Sequence, residues 1–324
     1  MADELCVENV STKYCGALKV FVQGNLEQKQ GSTVFLTVHD MGSNHKSFVN
    51  FVNDQCMQEV KPRSIFLHVC VPGQEDGAAD FAGDYPTLTQ ISQDLICVLD
   101  KFDVKTCIGF GEGAGANIIC RFAIAFPNRV MGVCLVHCTS TTAGVMEYMK
   151  EKYITMKLES GGMHSSAWDY LTFHKFGPKA EGDHVTAYLE NLKQKHNGHN
   201  LAKYMQSFVN RTDLSASLAA DLKVEVLLVV GSKASHLHTV YTMHQAMNRE
   251  KTTLLVVDGV GDVMTEAPER LCRALVLFCK GCGVLSGVGM PGMERQRTLS
   301  SSMEEADRPR RLSVPTGPAT FSQP

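Results

Sequence analysis

Residues 107–130, CIGFGEGAGANIICRFAIAFPNRV, place a glycine-rich turn between a strand-like run and a helix-like run. Enzymes use such a unit either to hold a dinucleotide phosphate on backbone N–H groups or to present a nucleophile on a strained elbow. The turn itself, GEGAG at residues 111–115, contains no hydroxyl, thiol or lysine. A covalent mechanism at this turn would therefore lack its attacking atom.

A dinucleotide site is the first interpretation, because residues 109–114 fit the pattern G-x-G-x-x-A. That pattern normally opens the first strand–helix unit of its fold, whereas at least three strand-like runs precede it here. It also requires an acidic residue near the end of the next strand to bind the ribose. The next strand ends in His137 and Cys138, and the first acidic residue beyond it is Glu147. The sequence therefore disfavours a dinucleotide, and no cofactor is predicted.

A nucleophile elbow is the second interpretation, and the other positions of a catalytic triad can be compared with it. Gly113 stands at the nucleophile position, or Gly111 does in an earlier register. The acid position, in the run VVGSKA after a late strand, holds Ala234, and the histidine position, in GDVMTEAP, holds Asp262. Because a triad needs a nucleophile, a base and an orienting acid together, the sequence predicts an inactive elbow without catalytic residues.

Strand-like and helix-like runs alternate along the chain and must position this turn. The helical runs include residues 88–102 and 117–126, and also residues 268–281, which have a proline in the first turn. Continuously apolar strands that alternate with helices indicate an α/β fold, with a mostly parallel central sheet covered on both faces. The predicted strands are residues 17–22, 33–38, 64–71, 105–110, 132–137, 224–230 and 252–257.

The pattern predicts one folded domain, residues 1–285, followed by a disordered regulatory tail, residues 286–324. Within the domain, residues from about 140 to 222 contain helical patterns but no convincing strand, which is typical of a helical cap inserted between two core strands. The tail is rich in Gly, Pro, Ser and Arg. It cannot bury enough apolar surface to offset the entropy lost on ordering.

Composition argues against several classes of function. The net charge of −3 creates no basic field for nucleic acid, and no apolar run approaches the ~18 residues of a membrane helix. The N-terminus lacks the features of a secretory signal, so the twelve cysteines are expected to be reduced thiols in a cytoplasmic protein. The C-x-x-C pair of Cys279 and Cys282 has no second pair and no nearby histidine, so no metal site is predicted.

Three segments resemble the N-myc downstream-regulated (NDRG) family. Residues 37–46, TVHDMGSNHK, are similar to its HD-x-G-x-NHK segment, residues 68–81, HVCVPGQEDGAADF, to its PGQ-x-x-GA loop, and residues 111–118, GEGAGANI, to its G-x-GAGA elbow. The resemblance covers roughly residues 15–290. It implies an α/β-hydrolase fold without hydrolase activity, in a cytoplasmic protein linked to stress, growth and differentiation signalling. Protein partners are expected, but the sequence does not identify them.

Two alternatives stay open for the site itself. The fold could bring His39, Asp40 and Asp262 together as a relocated acid–base group, which would make the protein an atypical hydrolase. A pocket under the cap, with Glu112 and Gly113 as further lining residues, could instead bind a ligand. Glu112 is expected to be exposed. Asp40 follows an early strand and would place a carboxylate near the oxyanion site, where it could not stabilise developing negative charge.

The tail contains two R-x-R-x-x-S motifs, which end at Ser300 and Ser313. Basophilic Ser/Thr kinases recognise this spacing by pairing acidic residues with the two arginines. The motifs predict phosphorylation of both serines, with Thr298 as a weaker site, and the resemblance also implies kinase action on the tail. The arginines of an unmodified tail could pair with anionic lipid, so peripheral membrane association is considered as well.

Overall fold

The computed structural model describes residues 5–161 and 164–289, and the predicted phosphorylation sites Thr298, Ser300 and Ser313 lie outside them. The strands are Cys6–Ser11 (β1), Ala17–Gln23 (β2), Thr33–Val38 (β3), Ser64–Cys70 (β4), Cys107–Glu112 (β5), Val130–Val136 (β6), Glu225–Gly231 (β7) and Thr252–Val257 (β8). The helices are Lys46–Asn53 (α1), Leu88–Lys101 (α2), Ala114–Ala125 (α3), Val145–Gly161 (α4), Ser165–Phe176 (α5), Asp183–Lys195 (α6), Gly198–Val209 (α7), Ser215–Ala220 (α8), Leu237–Ala246 (α9), Val263–Glu266 (α10) and Pro268–Gly281 (α11).

The described strands form one sheet in the order β1-β2-β4-β3-β5-β6-β7-β8. The pairs β1–β2 and β2–β4 are antiparallel, and every pair from β4 to β8 is parallel. The mostly parallel sheet that the alternating pattern predicts is therefore confirmed. Because the parallel strands end at the same edge, the loops after β3, β5, β6, β7 and β8 meet there.

Two hydrophobic clusters lie on the two faces of the sheet. Successive strand residues alternate between them, as the period of a strand requires: Leu36 of β3 belongs to one cluster and Phe35 to the other. Buried residues of α2, α3, α9 and the cap helices complete the first cluster. Buried residues of α1, α10 and α11 complete the second. The sheet is thereby covered by helices on both sides.

The turn between β5 and α3 needs small residues because helix and sheet approach closely there. Gly113 has φ +53° and ψ −117°, in the region that favours glycine. A Cβ atom at Gly115 would lie 2.1 Å from the carbonyl oxygen of Val38 at the end of β3. These glycines let α3 begin directly behind the sheet edge, so its first N–H groups face the loop after β3.

The structure adds three features to the predicted elements. β1 is an edge strand with mostly exposed side chains, and its order depends on pairing with β2. Five helices, α4 to α8, lie between β6 and β7, and α5 lacks the one-sided apolar repeat that would have predicted it. Packing also continues past residue 285: Val288 is buried, and the N–H of Gly289 donates to Glu59.

Candidate functional site

The loop after β3 and the elbow after β5 meet at the carboxylate of Asp40. Its Oδ1 accepts hydrogen bonds from the backbone N–H of Met41 at 2.7 Å and of Ala114 at 2.8 Å. In an active α/β-hydrolase, N–H groups at these positions, one in the loop after the third strand and one after the nucleophile, bind the oxyanion. Asp40 therefore places its own oxygen where a reaction intermediate would carry negative charge.

Gly113 lies directly against this carboxylate. A Cβ atom at Gly113 would lie 2.1 Å from Cγ of Asp40 and 2.2 Å from each carboxylate oxygen, well inside van der Waals contact. The position that the sequence assigns to a nucleophile thus lacks an attacking atom, and a neighbouring side chain fills the space beside it. A serine at 113 and Asp40 in its present place exclude each other.

His174, near the end of α5, fixes the second oxygen of Asp40. Its Nε2 lies 2.9 Å from Oδ2 of Asp40, and its Nδ1 lies 3.1 Å from Nε2 of His236. Asp40 and His174 are both buried. Burial alone would raise the pKa of Asp40, but His174 and the N–H of Ala114 lower it to about 2. Asp40 is therefore an ionised carboxylate that the cap holds in place.

Lys175, the next residue of α5, reaches a second group of buried charges. Its Nζ lies 2.5 Å from Oε1 of Glu112 and 3.1 Å from Oδ2 of Asp262. Asp262 also accepts a hydrogen bond from the N–H of Met264 and so caps α10. The expectation that Glu112 is exposed is wrong, since the side chain is only 1% exposed. It ends a central strand, and the ammonium of Lys175 offsets the burial of its charge.

The pKa values in this group reflect burial and close charges. Burial, with the nearby carboxylates of Asp262 and Asp40, raises the pKa of Glu112 to about 7, although Lys175 opposes the rise. Burial disfavours a charge on Lys175, but Asp262 and Glu112 raise its pKa above the ordinary value. Burial would raise the pKa of Asp262, yet Lys175 and His137 lower it. Lys175 and Asp262 are thus ionised at neutral pH, where Glu112 titrates.

Glu112, His137 and Asp262 also form a donor set that could hold a metal ion. One ligand atom of each residue lies within 4.8 Å of the others. Burial lowers the pKa of His137 to about 4, so its imidazole is neutral, as a metal ligand must be. The ammonium of Lys175 binds both carboxylates of this set, so the protein supplies a cation of its own there.

The relocated acid–base group of His39, Asp40 and Asp262 is not assembled. Nδ1 of His39 lies 2.8 Å from the carbonyl oxygen of Asp40, and its Nε2 accepts from the N–H of Val71 at 3.0 Å. Burial lowers the pKa of His39 to about 3, so it is a poor base. Within the described residues, Asp40 instead bonds to His174 of the cap, and Asp262 bonds to Lys175 of the cap. His39 joins the loops after β3 and β4.

Ala234, at the predicted acid position, lies in the turn after β7. Its N–H donates to the carbonyl oxygen of Gly231 at 3.1 Å. A Cβ atom on Gly177, directly after α5, would lie 3.6 Å from Cα of Ala234. The end of the cap helix therefore packs on the turn that carries the acid in a working triad.

Four residues of the site were not identified from the sequence: His137, His174, Lys175 and His236. They lie in stretches without a chemical motif. The adjacent basic residues His174 and Lys175, just before the helix-ending Gly177, are the one signal that could have indicated a role. Basic side chains at a helix C-terminus are common for electrostatic reasons alone, so this signal is weak.

A groove of about 740 Å³ opens beside the site, between residues 42–54 and α6. Lys175 and Thr265 line its inner end. Tyr188 and Asn191 of α6 also line it, and within the described residues the hydroxyl of Tyr188 and Oδ1 of Asn191 are buried without a hydrogen-bond partner. The groove therefore presents polar atoms that a ligand or a water molecule could bind.

Comparison with known proteins identifies the family. The model of the Ndr family matches residues 8–286. This chain belongs to the Ndr family. Human Protein NDRG2 is 30% identical to this Ndr-family chain and covers 93% of it and 81% of its own length. Protein NDRG1 of Xenopus tropicalis is 31% identical, and the match covers 85% of this chain and 71% of its own length. A Caenorhabditis elegans protein, ZK1073.1, is 64% identical over 96% of both chains.

Solved structures similar to this Ndr-family protein are α/β-hydrolases. A thermophilic esterase from Thermogutta terrifontis has a TM-score of 0.70 at 14% identity, and covers 86% of this chain and 99% of its own. Epoxide Hydrolase A from Mycobacterium thermoresistibile has a TM-score of 0.63 at 16% identity, with coverage of 86% and 99%. These similarities confirm the fold and do not extend to activity. No helix in the described ranges is both long and apolar enough to cross a membrane.

Proposed function

We propose that this Ndr-family protein is a non-enzymatic signalling or adaptor protein on an α/β-hydrolase scaffold. The observation that supports the proposal is the Asp40 carboxylate, which accepts the N–H groups of Met41 and Ala114. A fixed negative charge at that position repels the anionic intermediate of acyl transfer. With glycine at position 113, the site offers a substrate neither a nucleophile nor a stabilised oxyanion.

Ester hydrolysis tests this proposal directly. The purified protein is expected to hydrolyse 4-nitrophenyl acetate no faster than a Gly113→Ser variant, which is itself expected to be nearly inactive. Hydrolysis that persists through purification and disappears in Asp262→Ala or His39→Ala would overturn the proposal and favour an atypical hydrolase.

Protein contacts would then carry the function. Because the resemblance to the NDRG family implies such a role, we propose that the protein acts in the cytoplasm, in stress, growth and differentiation signalling. Proximity labelling in cells with the full chain tests this part of the proposal. Enrichment of a reproducible set of signalling proteins over the free labelling enzyme is expected. Labelling indistinguishable from that control would contradict an adaptor role.

Regulation through the tail belongs to the same proposal. A basophilic kinase is expected to phosphorylate Ser300 and Ser313, and Thr298 more weakly. Residues 286–324 contain five Arg and four acidic residues, a net charge of +1. Each phosphate adds about −1.5 to −2, so two would make the segment clearly negative. Phosphopeptide mapping in growth-factor-stimulated cells measures this. Arg295→Ala with Arg308→Ala should reduce modification, and two unmodified serines would refute the prediction.

Ligand binding in the groove is a second candidate function. The buried hydroxyl of Tyr188 and Oδ1 of Asn191 each cost about 1–3 kcal/mol when no partner satisfies them. Native mass spectrometry of gently purified protein is expected to show a bound small molecule that is lost in Tyr188→Phe. The variant Tyr241→Phe, at an exposed tyrosine of α9, is the matched control. A ligand-free spectrum of the wild type would remove this candidate.

A further inference from the structure

Most of the exposed large hydrophobic side chains in the described residues lie on one part of the cap. Val145, Met149, Tyr153 and Met156 of α4, with Phe173 of α5, are between 40% and 80% exposed. The others, Val7, Tyr241 and Leu277, lie on three separate elements. Single exposed hydrophobic residues need no explanation, but a contiguous set on one helix marks an interaction surface.

The four α4 residues form a single row, which we call the α4 outer face. They are spaced i, i+4, i+8 and i+11, so they project from the same side of the helix. The opposite side of α4 packs against α7 and buries Ile154 and Leu158 together with the polar residues Glu151 and Thr155. A contiguous row of large hydrophobic side chains on one side of a helix is normally covered by another surface. Among the described residues this outer side is exposed.

Lysines border the α4 outer face along both of its long edges. At 100° per residue, Lys152 projects on one edge beside the exposed Glu159, and Lys150 and Lys157 project on the other, so the border carries three cations and one anion. Their ammonium groups lie close to aromatic rings of the same region: Nζ of Lys157 is 4.8 Å from the ring centre of Tyr153, and Nζ of Lys150 is 5.3 Å from that of Phe173. Exposed apolar side chains bordered mainly by long cationic side chains suit an anionic membrane interface, because lysine stems can pack on apolar surface while their ammonium groups stay in water.

We propose that the α4 outer face docks on an anionic lipid surface. Met149, Tyr153 and Met156 insert at the level of the lipid headgroups, and the bordering lysines contact lipid phosphates and carboxylates. α4 has 17 residues, so it lies along the surface and does not cross it. The proposal is independent of whether the hydrolase-like site is active.

Charge decides between a membrane and the other occupants of this surface. A second copy of the chain would bring two sets of lysines face to face, which like-charge repulsion disfavours. To bind this convex helix, an acidic partner protein would need a concave apolar groove with carboxylates along both of its edges. A flat anionic surface can contact the lysines of both edges at once, because lipid headgroups surround the inserted row on every side.

Co-sedimentation of the full chain with vesicles tests the proposal. The protein is expected to bind phosphatidylcholine vesicles that contain phosphatidylserine, to release as salt is raised, and to bind pure phosphatidylcholine weakly. Met149→Asp, at an exposed position, should weaken binding at least about tenfold. Lys152→Gln with Lys157→Gln should weaken it about 25-fold, at about fivefold for each lysine. Leu277→Asp, at an exposed position of α11, should leave binding unchanged.

Each other outcome overturns the proposal. Absence of binding to phosphatidylserine vesicles would do so, as would binding that the α4 variants do not weaken, because the tail or another surface would then carry it. Equal and salt-independent binding to neutral vesicles would also do so. Sedimentation velocity without lipid tests whether a second copy of the chain covers the α4 outer face. If Met149→Asp converts an oligomer to a monomer, the face binds a second copy instead.

Discussion

Asp40 occupies the backbone donors of the elbow and at the same time satisfies them. Active hydrolases leave the N–H groups that correspond to Met41 and Ala114 available for a substrate oxygen. In this chain a carboxylate accepts both, so two buried donors are satisfied by charge-assisted hydrogen bonds. Asp40 is therefore expected to add to stability, which explains how the elbow geometry persists at Gly113 without a nucleophile.

Gly113→Ser is expected to lower the free energy of unfolding by about 3 kcal/mol, because its Cβ would overlap the Asp40 carboxylate. Gly16→Ser is the matched control: Gly16 also has positive φ, but no heavy atom lies within 4 Å of a Cβ there. Adding Asp40→Gly removes the overlap, so the double variant should be at least about 1 kcal/mol more stable than the sum of the single changes. Urea denaturation measures the wild type, the two single variants, the double variant and the control, and strictly additive losses would show that the two residues do not conflict.

α5 connects the cap to the core through two consecutive side chains. Neighbouring helix positions are 100° apart, so His174 and Lys175 point to different loops. His174 reaches Asp40 after β3, while Lys175 reaches Glu112 at the end of β5 and Asp262 after β8. Opening the cap would separate these buried charges from their partners, which is costly. We therefore expect the cap to stay closed over the elbow.

Lys175→Met is expected to lower the free energy of unfolding by about 3–5 kcal/mol, because Glu112 and Asp262 lose the cation between them. Lys105→Met, the same substitution at an exposed lysine, is the control. The variant also leaves Glu112, His137 and Asp262 as a metal donor set. Excess Zn²⁺ should restore about 2–3 kcal/mol to Lys175→Met and nothing to the control. A variant as stable as the wild type would show that Lys175 does not compensate these carboxylates.

Buried histidines should make the whole molecule sensitive to acid. Burial lowers the pKa of six described histidines, His39, His45, His68, His137, His196 and His236, to about 3 or 4. The ordinary pKa of histidine is about 6.5, so between about pH 3 and pH 6.5 the unfolded chain binds more protons than the folded protein. The contribution of these neutral histidines to the free energy of unfolding is present above about pH 6.5 and is lost as the pH falls toward about 3. Glu112 has the opposite sign, because its raised pKa favours the folded state at low pH.

The free energy of unfolding is thus expected to fall between pH 6 and pH 4. His68, which bonds to Thr37 and Gln23, has a pKa of about 3, so His68→Gln should reduce the slope by up to about 1.4 kcal/mol per pH unit. His238→Gln, at an exposed histidine of α9, reports the effect of the exchange itself. Urea titrations at pH 4, 5 and 6 provide the slopes. An unchanged slope in His68→Gln would mean that His68 is protonated in the folded protein.

The sequence by itself determined the order of strands and helices, the parallel sheet and the absence of an attacking atom at Gly113. These follow from local properties: the apolar period of a segment, a glycine turn between strand and helix, and the residue types that stand at triad positions. The same local reasoning placed Asp40 near the oxyanion site, because the loop after an early strand lies at the sheet edge in any such fold. It missed β1, whose order comes from pairing with β2.

Only the tertiary structure decided what the buried charges do. Glu112 reads as an exposed turn residue, yet it is buried because Lys175, 63 positions away, bonds to it. His174 is 134 positions from Asp40, and no spacing or motif joins them. Each of these groups would be costly to bury alone, so the burial of one depends on the placement of another. Such mutual dependence arises when helix and sheet pack together, and it leaves no periodic trace along the chain.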